Sequence, residues 1–265
     1  MNNSSPEHQA YLRGLKRQAR LKRLLQVIIL IGLFALWEIA AVNKWINPFI
    51  FSQPTKAWEA TVRLAQRGEL WVHLGYTVGE TVAGFTLGTL IGIVFAIMLW
   101  WSDFMSKVLD PYIVVLNSIP KVALGPLFIV WLGTGLKAVI AMAIAVSVIV
   151  TIMMMHNGFK EIDPNKIKLL RTFGASKTQT LLKVIIPASV PTMIAALKVS
   201  VGLSLVGTIV GEFLGSKAGL GYLIIYGGQI FNMSLVMAAV ILLSLVSVVL
   251  YYLVSVLEER IIHHQ

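Results

Sequence analysis

Long apolar runs separated by short polar segments dominate the hydrophobic pattern of this chain. Six of the runs have about the 20 residues that a helix needs to cross a bilayer. Unpaired backbone groups are costly in lipid, and the runs show no alternation with a period of two, so helices are favoured over a barrel. The pattern predicts an all-α polytopic membrane protein with a six-span domain over residues 24–257. The predicted spans are Leu24–Val42, His73–Trp101, Leu109–Leu132, Lys137–Met155, Ile186–Leu214 and Leu235–Leu257.

Composition supports insertion in a lipid bilayer. The chain is 57% hydrophobic and 13% charged, with a mean hydropathy of +0.80, whereas soluble domains carry about 25% charged residues. It has no cysteine, and its five histidines are scattered, so no disulfide and no metal site is expected. The net charge of +10 would suggest nucleic acid for a soluble protein. In a membrane protein the placement of the charges matters more, and no nucleic-acid partner is expected.

The distribution of Lys and Arg predicts the orientation of the chain. Residues 1–23 form a basic tail, and the run that follows, of 19 residues, is too long for the apolar core of a cleaved signal peptide. With the N-terminus in the cytoplasm, 14 of the 22 basic residues fall in cytoplasmic segments and 6 in external ones. The positive-inside rule then places both termini, including the tail at 258–265, in the cytoplasm.

The first external segment, residues 43–72, shows a helical pattern after Pro54. Trp58, Val62 and Leu64 recur at helix-like spacing, which predicts an amphipathic helix at the outer interface. Trp45, Trp58 and Trp71 are expected to anchor there.

Small residues recur every four positions along the second predicted span, at Gly84, Gly88, Gly92 and Ala96. Such a row lets two helix backbones approach closely in lipid. The row is compatible with a moving or dimeric interface, and equally with static packing inside one chain.

The third span is irregular, because Pro111, Pro120 and Pro126 interrupt it. Polar groups cluster at the break, and such groups at membrane depth usually face protein or a water-filled path. The alternative is that the lysine snorkels or pairs with an acid such as Glu80. The predicted pathway residues of this cluster are Asn117, Ser118 and Lys121.

A second polar row runs along the fifth span with an interval of four residues. It consists of Ser200, Ser204, Thr208 and Glu212. The row could line a translocation pathway, or its hydroxyls could bond to their own backbone. Glu212 lies near the predicted outer end, where an unpaired carboxylate would be costly.

Residues 155–186 predict a basic helical hairpin between the fourth and fifth spans. Asp163 and Pro164 have the pattern of an N-cap followed by a first helical residue. Ile167, Leu170 and Phe173 recur as an apolar face, which needs a partner.

Gly174 follows that helix and predicts a left-handed turn at its end. Ser176 and Gln179 then form the pattern of a capping box that starts a second helix. Pro187 predicts a kink where this second helix joins the fifth span.

This hairpin resembles the cytoplasmic EAA loop of the permease subunits of ABC importers, in which E-A-A, three residues, Gly and nine residues precede I-x-L-P. The spacing from Gly174 to Pro187 matches, whereas Lys168, Leu169 and Leu170 stand at the E-A-A positions. "NSIPKVALGPLFIVWLGTG" and "GEFLGSKAGLGYLI" are similar to the subfamily that imports nitrate, sulfonates, taurine, bicarbonate or thiamine-precursor pyrimidines.

The resemblance implies the type I importer (MetI-like) permease fold in a bacterial cell membrane. It implies a complex of two permease copies, by family default identical, with two cytoplasmic ATPase subunits that hold ATP and Mg²⁺. It also implies an external substrate-binding protein that meets the chain near Gly219–Gly221 and the loop after the first span. The residues expected to dock on the ATPase are Ile167, Leu170, Arg171, Phe173, Gly174, Ala175 and Ser176.

No Walker-type phosphate loop occurs in the chain, so we expect a transport subunit without cofactor or ATPase activity of its own. A secondary transporter driven by an ion gradient is the alternative, but the internal repeats typical of that class are not evident. An intramembrane enzyme is disfavoured, because Glu38 and Glu212 stand alone in their spans and no catalytic motif is present.

Overall fold

A computed structural model describes residues 6–262, and this part of the chain is built from helices without a strand. Residues 1–5 of the predicted N-terminal tail and 263–265 of the C-terminal tail lie outside the described residues. A 3₁₀ turn covers Lys121–Leu124, and a π-helical turn covers Leu181–Ile185. The helices are α1 (Pro6–Val42), α2 (Pro48–Phe51), α3 (Pro54–Gln66), α4 (Glu69–Trp101), α5 (Asp103–Ser118), α6 (Gly125–Leu132), α7 (Leu136–Lys160), α8 (Pro164–Thr172), α9 (Lys177–Thr180), α10 (Ile186–Gly215), α11 (Leu220–Gln229) and α12 (Met233–Ile262).

Five of the described helical segments are long and apolar enough to cross a membrane. They are Arg20–Val42, Glu69–Trp101, Leu136–Lys160, Lys177–Gly215 and Met233–Arg260. The predicted third span is a bent pair, in which α5 and the segment Lys121–Leu132 meet at 86°. The structure therefore has six spans if this pair crosses as one. The sharp bend follows from Pro120, which lacks a backbone N–H and directs the chain away from α5.

Helices α4, α7 and α10 form the centre of the fold. A Cβ atom added at Gly88 would lie 2.7 Å from Oγ of Ser147, and one at Gly92 would lie 2.6 Å from Cγ2 of Thr151. The small-residue row of α4 is therefore filled by α7 of the same chain. The predicted close approach of two helix backbones is confirmed. The row serves packing within one chain rather than an interface between two copies.

Helix α10 approaches α7 equally closely. A Cβ atom at Gly207 would lie 2.6 Å from Cα of Ala143, and one at Gly211 would lie 2.8 Å from Cα of Val139. Because these contacts reach backbone atoms, α10 packs against α7 with no room for larger side chains. Helices α4 and α10 also contact each other, so the three helices pack mutually.

The predicted amphipathic helix is α3, and it lies against α12. Ala57 and Ala60 are buried together with Ala238 of α12, whereas the Trp58 side chain is 69% exposed. Glu38 of α1 accepts hydrogen bonds from the backbone N (3.1 Å) and Oγ1 (2.9 Å) of Thr55, in the first turn of α3. A carboxylate in this position satisfies free N–H groups and complements the helix dipole.

The long helix α4 defines the two ends of the bundle. Its 33 residues extend for about 50 Å at 1.5 Å per residue. Near its start, His73 contacts the loop before α11. At its other end, the backbone oxygen of Trp101 accepts a hydrogen bond from Nζ of Lys177 in α9. We call these the α3 end and the hairpin end.

Candidate coupling hairpin and buried acid pair

The predicted start of the hairpin is confirmed at Asp163. Its Oδ1 accepts a hydrogen bond of 2.8 Å from the backbone N of Asn165, and Pro164 is the first residue of α8. The side chain thus satisfies one of the N–H groups that a helix start leaves unpaired.

The predicted left-handed turn is also confirmed, since Gly174 has φ +76°. Two hydrogen bonds close the end of α8. The N of Ala175 donates to the oxygen of Leu170 (3.0 Å), and the N of Gly174 donates to that of Arg171 (3.0 Å). This pair of bonds is a Schellman motif. A Cβ atom at Gly174 would meet no atom within 4 Å, so the turn projects into open space.

The predicted capping box starts α9. The N of Ser176 donates to Oε1 of Gln179 (2.8 Å), and the N of Gln179 donates to Oγ of Ser176 (3.2 Å). The predicted kink at Pro187 takes a different form. Helix α9 continues through the π-helical turn into α10 as one segment of 39 residues, Lys177–Gly215. The N of Ile186 donates to the oxygen of Leu181 in this wider turn, which lies directly before the proline.

The residues expected to form one apolar face on α8 lie in two different environments. Ile167 packs inward against a cluster that contains Met155 and Phe159, so it does not share an open face with Phe173. The Phe173 side chain is 78% exposed, and Leu169, one turn earlier on the same side, is 57% exposed. Since side chains four residues apart share a helix face, Leu169 and Phe173 form the open apolar surface of the hairpin.

The remaining predicted docking residues surround this surface. Arg171, Gly174 and Ser176 are exposed, and Leu170 and Ala175 are half-buried. Lys177 fixes the hairpin to α4, because its Nζ bonds to the oxygen of Trp101 and lies 5.8 Å from the ring centroid of Trp100.

The polar cluster of the broken span satisfies itself locally. Nζ of Lys121 donates to the backbone oxygen of Asn117 (2.6 Å) and lies 3.3 Å from its Oδ1. Oγ of Ser118 donates to the oxygen of Val114 (3.0 Å). No contact with Glu80 is present among the described residues, so the expected alternative pairing of Lys121 with that acid is not observed.

The polar row of α10 is buried between helices rather than open to a passage. Ser200 and Thr151 share a hydrogen bond of 2.6 Å between their hydroxyls, and Thr81 donates to Thr208 over 3.2 Å. Ser204 is fully buried, and its Oγ has no partner within the part of the chain that is described. In this conformation the row joins α10 to α7 and α4, because the glycines beside it bring the three backbones together.

Glu212, the last residue of that row, connects three elements at the α3 end. Its Oε1 accepts from Oγ1 of Thr77 (2.6 Å), and its Oε2 accepts from the N of Gly221 (2.5 Å). Thr77 in turn accepts from the N of Leu220 (2.7 Å), and Nδ1 of His73 accepts from the N of Gly219 (3.0 Å). The buried carboxyl group therefore holds the loop before α11 against α4.

A second buried acid, Glu80, lies on α4 one turn after Thr77, the residue that bonds to Glu212. Glu212 is the one acid within α10, as expected, but Glu80 of the neighbouring helix α4 is a buried acid that was not among those considered for catalysis. Neither oxygen of Glu80 has a hydrogen-bond partner within residues 6–262. The sequence does carry a signal for this pair of acids, since Glu80 precedes Gly84 by four residues and so continues the row that packs inside the bundle.

The chain thus combines a bent span, a hairpin with a left-handed turn and a glycine-rich loop. Comparison with known proteins identifies its family. Residues 88–263 match the family described as binding-protein-dependent transport system inner membrane component. The chain belongs to this family. It is a permease subunit of an ABC importer, a multi-pass protein of the inner membrane.

Individual relatives agree with this assignment. An ABC transporter permease protein of Haemophilus influenzae is 31% identical over 91% of this permease and 98% of its own length. The aliphatic sulfonates transport permease protein SsuC of Bacillus subtilis is 26% identical, over 94% of this chain and 89% of its own. An inward-facing crystal structure of the methionine ABC transporter MetNI superposes with a TM-score of 0.63 and 22% identity, over 74% of this chain and 96% of that one, and supports the MetI-like fold.

Proposed function

We propose that this permease conducts a small anionic solute across the membrane and is driven by a partner ATPase that docks on the open apolar surface of the hairpin, Leu169 and Phe173. The observation that carries the proposal is the continuity of the chain after the turn. Helix α9 follows Gly174 closely and continues without a break into the spanning helix α10. A push on the hairpin therefore moves a spanning helix.

Motion of α10 reaches the rest of the bundle through its contacts with α7 and α4. Gly207 and Gly211 bring α10 against backbone atoms of α7, and Gly88 and Gly92 bring α4 against the same helix. Three helices packed this closely move together more readily than they deform. Alternating access then requires a bundle with two arrangements, whose balance is set by the ATPase.

The family assignment supports a set of partners for this permease. The hairpin end lies in the cytoplasm with both termini, and two ATPase subunits bind ATP and Mg²⁺ there. The α3 end faces outward and meets a substrate-binding protein through the loop at Gly219–Gly221. A second copy of this chain completes the pathway. The sulfonate relative supports a sulfonate-like anion as the solute.

The substitution Gly174→Asp tests the coupling. Gly174 is exposed and left-handed, a conformation that Asp tolerates better than most residues, so the variant should fold and insert. A charge beside Phe173 should, however, spoil apolar docking. We expect ATP-driven uptake into proteoliposomes that contain the ATPase and the binding protein to fall by at least about tenfold, as a loss of about 1.4 kcal/mol in docking implies.

Gly68→Asn is the control for backbone strain, since Gly68 also has φ +76° and no atom within 4 Å of an added Cβ, and Asn adds no charge at the α3 end. Gly174→Asn is the control for the charge, because Asn also tolerates a left-handed backbone. Uptake by both Asn variants should stay near the wild-type rate. Equal uptake by Gly174→Asp and the wild type would remove the hairpin from the coupling mechanism.

A further inference from the structure

A cavity of about 470 Å³ opens at the α3 end, between α3, the start of α4 and α11. Its volume is within the range of about 300–1,000 Å³ that small-molecule sites occupy. Neither the coupling hairpin nor the buried acid pair uses this cavity.

Positive charge dominates the lining. Arg63, Arg67 and Lys217 contribute cations, and Glu69 contributes the acid among the lining residues. Arg63 also forms an exposed ion pair with Glu59 (3.6 Å). Within residues 6–262, Arg67 and Lys217 form no ion pair, so both cations are free to meet an anion.

Three aromatic rings form a stacked ladder along the same cavity. The rings of His73 and Tyr222 lie 6.0 Å apart at an angle of 16°, and those of Tyr222 and Tyr226 lie 5.8 Å apart at 16°. Nδ1 of His73 is occupied by the N–H of Gly219, which fixes the orientation of that ring. Tyr226 is 41% exposed and ends the ladder on its open side. A flat ring can extend such a stack, whereas a puckered aliphatic ring cannot.

We propose that this cavity binds a flat aromatic anion, such as an aryl sulfonate or an aryl carboxylate, as the solute enters the permease. The proposal rests on the import function proposed above and narrows its solute class. The ladder holds the ring, and Arg67 and Lys217 hold the anionic group.

The test uses the complex of permease and ATPase in phosphatidylcholine nanodiscs, which supply no anionic lipid. Saturation-transfer NMR titrations compare benzenesulfonate with cyclohexanesulfonate, which keeps the charge, and with benzyl alcohol, which keeps the ring. Benzenesulfonate should bind at least about fivefold more tightly than either, because only this probe uses both the ladder and the cations.

Two variants and two matched controls locate the site. Tyr226→Leu should weaken benzenesulfonate binding about fivefold, and Lys217→Gln about threefold. Tyr76→Leu and Lys56→Gln remove an exposed ring and an exposed cation elsewhere on the outer part of the chain, so both should bind the probe like the wild type. Thermal unfolding of each variant verifies that it is folded.

Three outcomes would overturn the proposal. The first is equal binding of benzenesulfonate and cyclohexanesulfonate, and the second is no effect of Tyr226→Leu on probe binding. The third is a Lys217→Gln variant that binds the probe like the wild type but is no longer stimulated by the binding protein. The third outcome would assign the cavity to acidic side chains of that protein. Probe binding requires no ATP hydrolysis, so failure of this site and failure of hairpin coupling are measured separately.

Discussion

Two left-handed glycines at opposite ends of the bundle have opposite surroundings. Gly219 has φ +105°, and a Cβ atom added there would overlap the carboxyl group of Glu212. Gly174 has φ +76°, and a Cβ atom there would meet nothing within 4 Å. Both turns need the same backbone freedom, but the first is enclosed by its own chain and the second is open.

The difference shows which turn of this permease is covered by its own chain and which turn is left exposed. At the α3 end, Glu212, Thr77 and His73 bond to three successive backbone N–H groups at the start of α11, those of Gly219, Leu220 and Gly221. At the hairpin end, the two backbone bonds that close the Gly174 turn stay within its own helix, while Phe173 stays exposed. Buried polar contacts of the first kind fix a shape, and an exposed apolar surface of the second kind is suited to a partner.

The largest effect on stability is expected from Gly219→Ala. The backbone at Gly219, with φ 105° and ψ 165°, is essentially limited to glycine and costs an alanine about 1–3 kcal/mol. Displacing the buried Glu212 carboxyl group adds about 1–3 kcal/mol. We expect the free energy of unfolding in detergent to fall by about 3 kcal/mol. A loss no larger than that of Gly68→Ala, which adds backbone strain without a contact, would contradict the enclosed surroundings of Gly219.

Glu212→Ala should follow, with a loss of about 2–3 kcal/mol. It removes the acceptor for Thr77 and for the N of Gly221, and both donors remain buried. Glu212→Gln keeps an acceptor of similar shape and should lose about 1 kcal/mol or less. Denaturant unfolding of the two variants side by side measures the difference, and equal losses would show that the loop does not depend on this hydrogen bonding.

Gly174→Ala should have a smaller effect, about 1 kcal/mol, because only backbone strain opposes the new methyl group. Thermal unfolding of Gly174→Ala and Gly219→Ala under one condition compares the two glycines directly. A larger loss at Gly174 would mean that the hairpin turn is enclosed in the folded permease.

Lys121→Met should change stability least, by about 0.5 kcal/mol or less, because the side chain bonds only to Asn117 one turn away. If Lys121 attracts an anionic solute in the pathway, uptake of the anion should nevertheless fall. Lys121→Arg, which keeps the charge, should retain uptake. Full uptake by Lys121→Met with unchanged ATP hydrolysis would remove the residue from the pathway.

Local signals in the sequence predicted the hairpin well. Asp163, Gly174 and the pair Ser176 and Gln179 each act on backbone groups within five residues, so their neighbours are known from the sequence alone. The small-residue row of α4 was equally clear, because a helix with Gly at every fourth position must pack closely against something.

The packing partner of each row could not be predicted. Thr77 and Glu212 are 135 positions apart, and no local rule connects them. The polar row of α10 was predicted to line a pathway or to bond to its own backbone, whereas hydroxyl groups of α7 and α4 bond to it. Water and a second helix satisfy hydroxyl groups equally well, so the sequence does not distinguish them. The burial of Glu80 was not predicted for the same reason, because the surroundings of this residue depend on which helix packs against it.

The π-helical turn at Leu181–Ile185 sets the direction in which the hairpin faces around the axis of α10. A π turn is an α-helix with one additional residue, and one residue corresponds to a rotation of about 100° and a rise of 1.5 Å. Deleting one residue here would restore regular α-helix and turn Phe173 about 100° around the axis of α10. The number of residues in this turn thus determines the direction in which the hairpin faces, whatever residues form the docking surface.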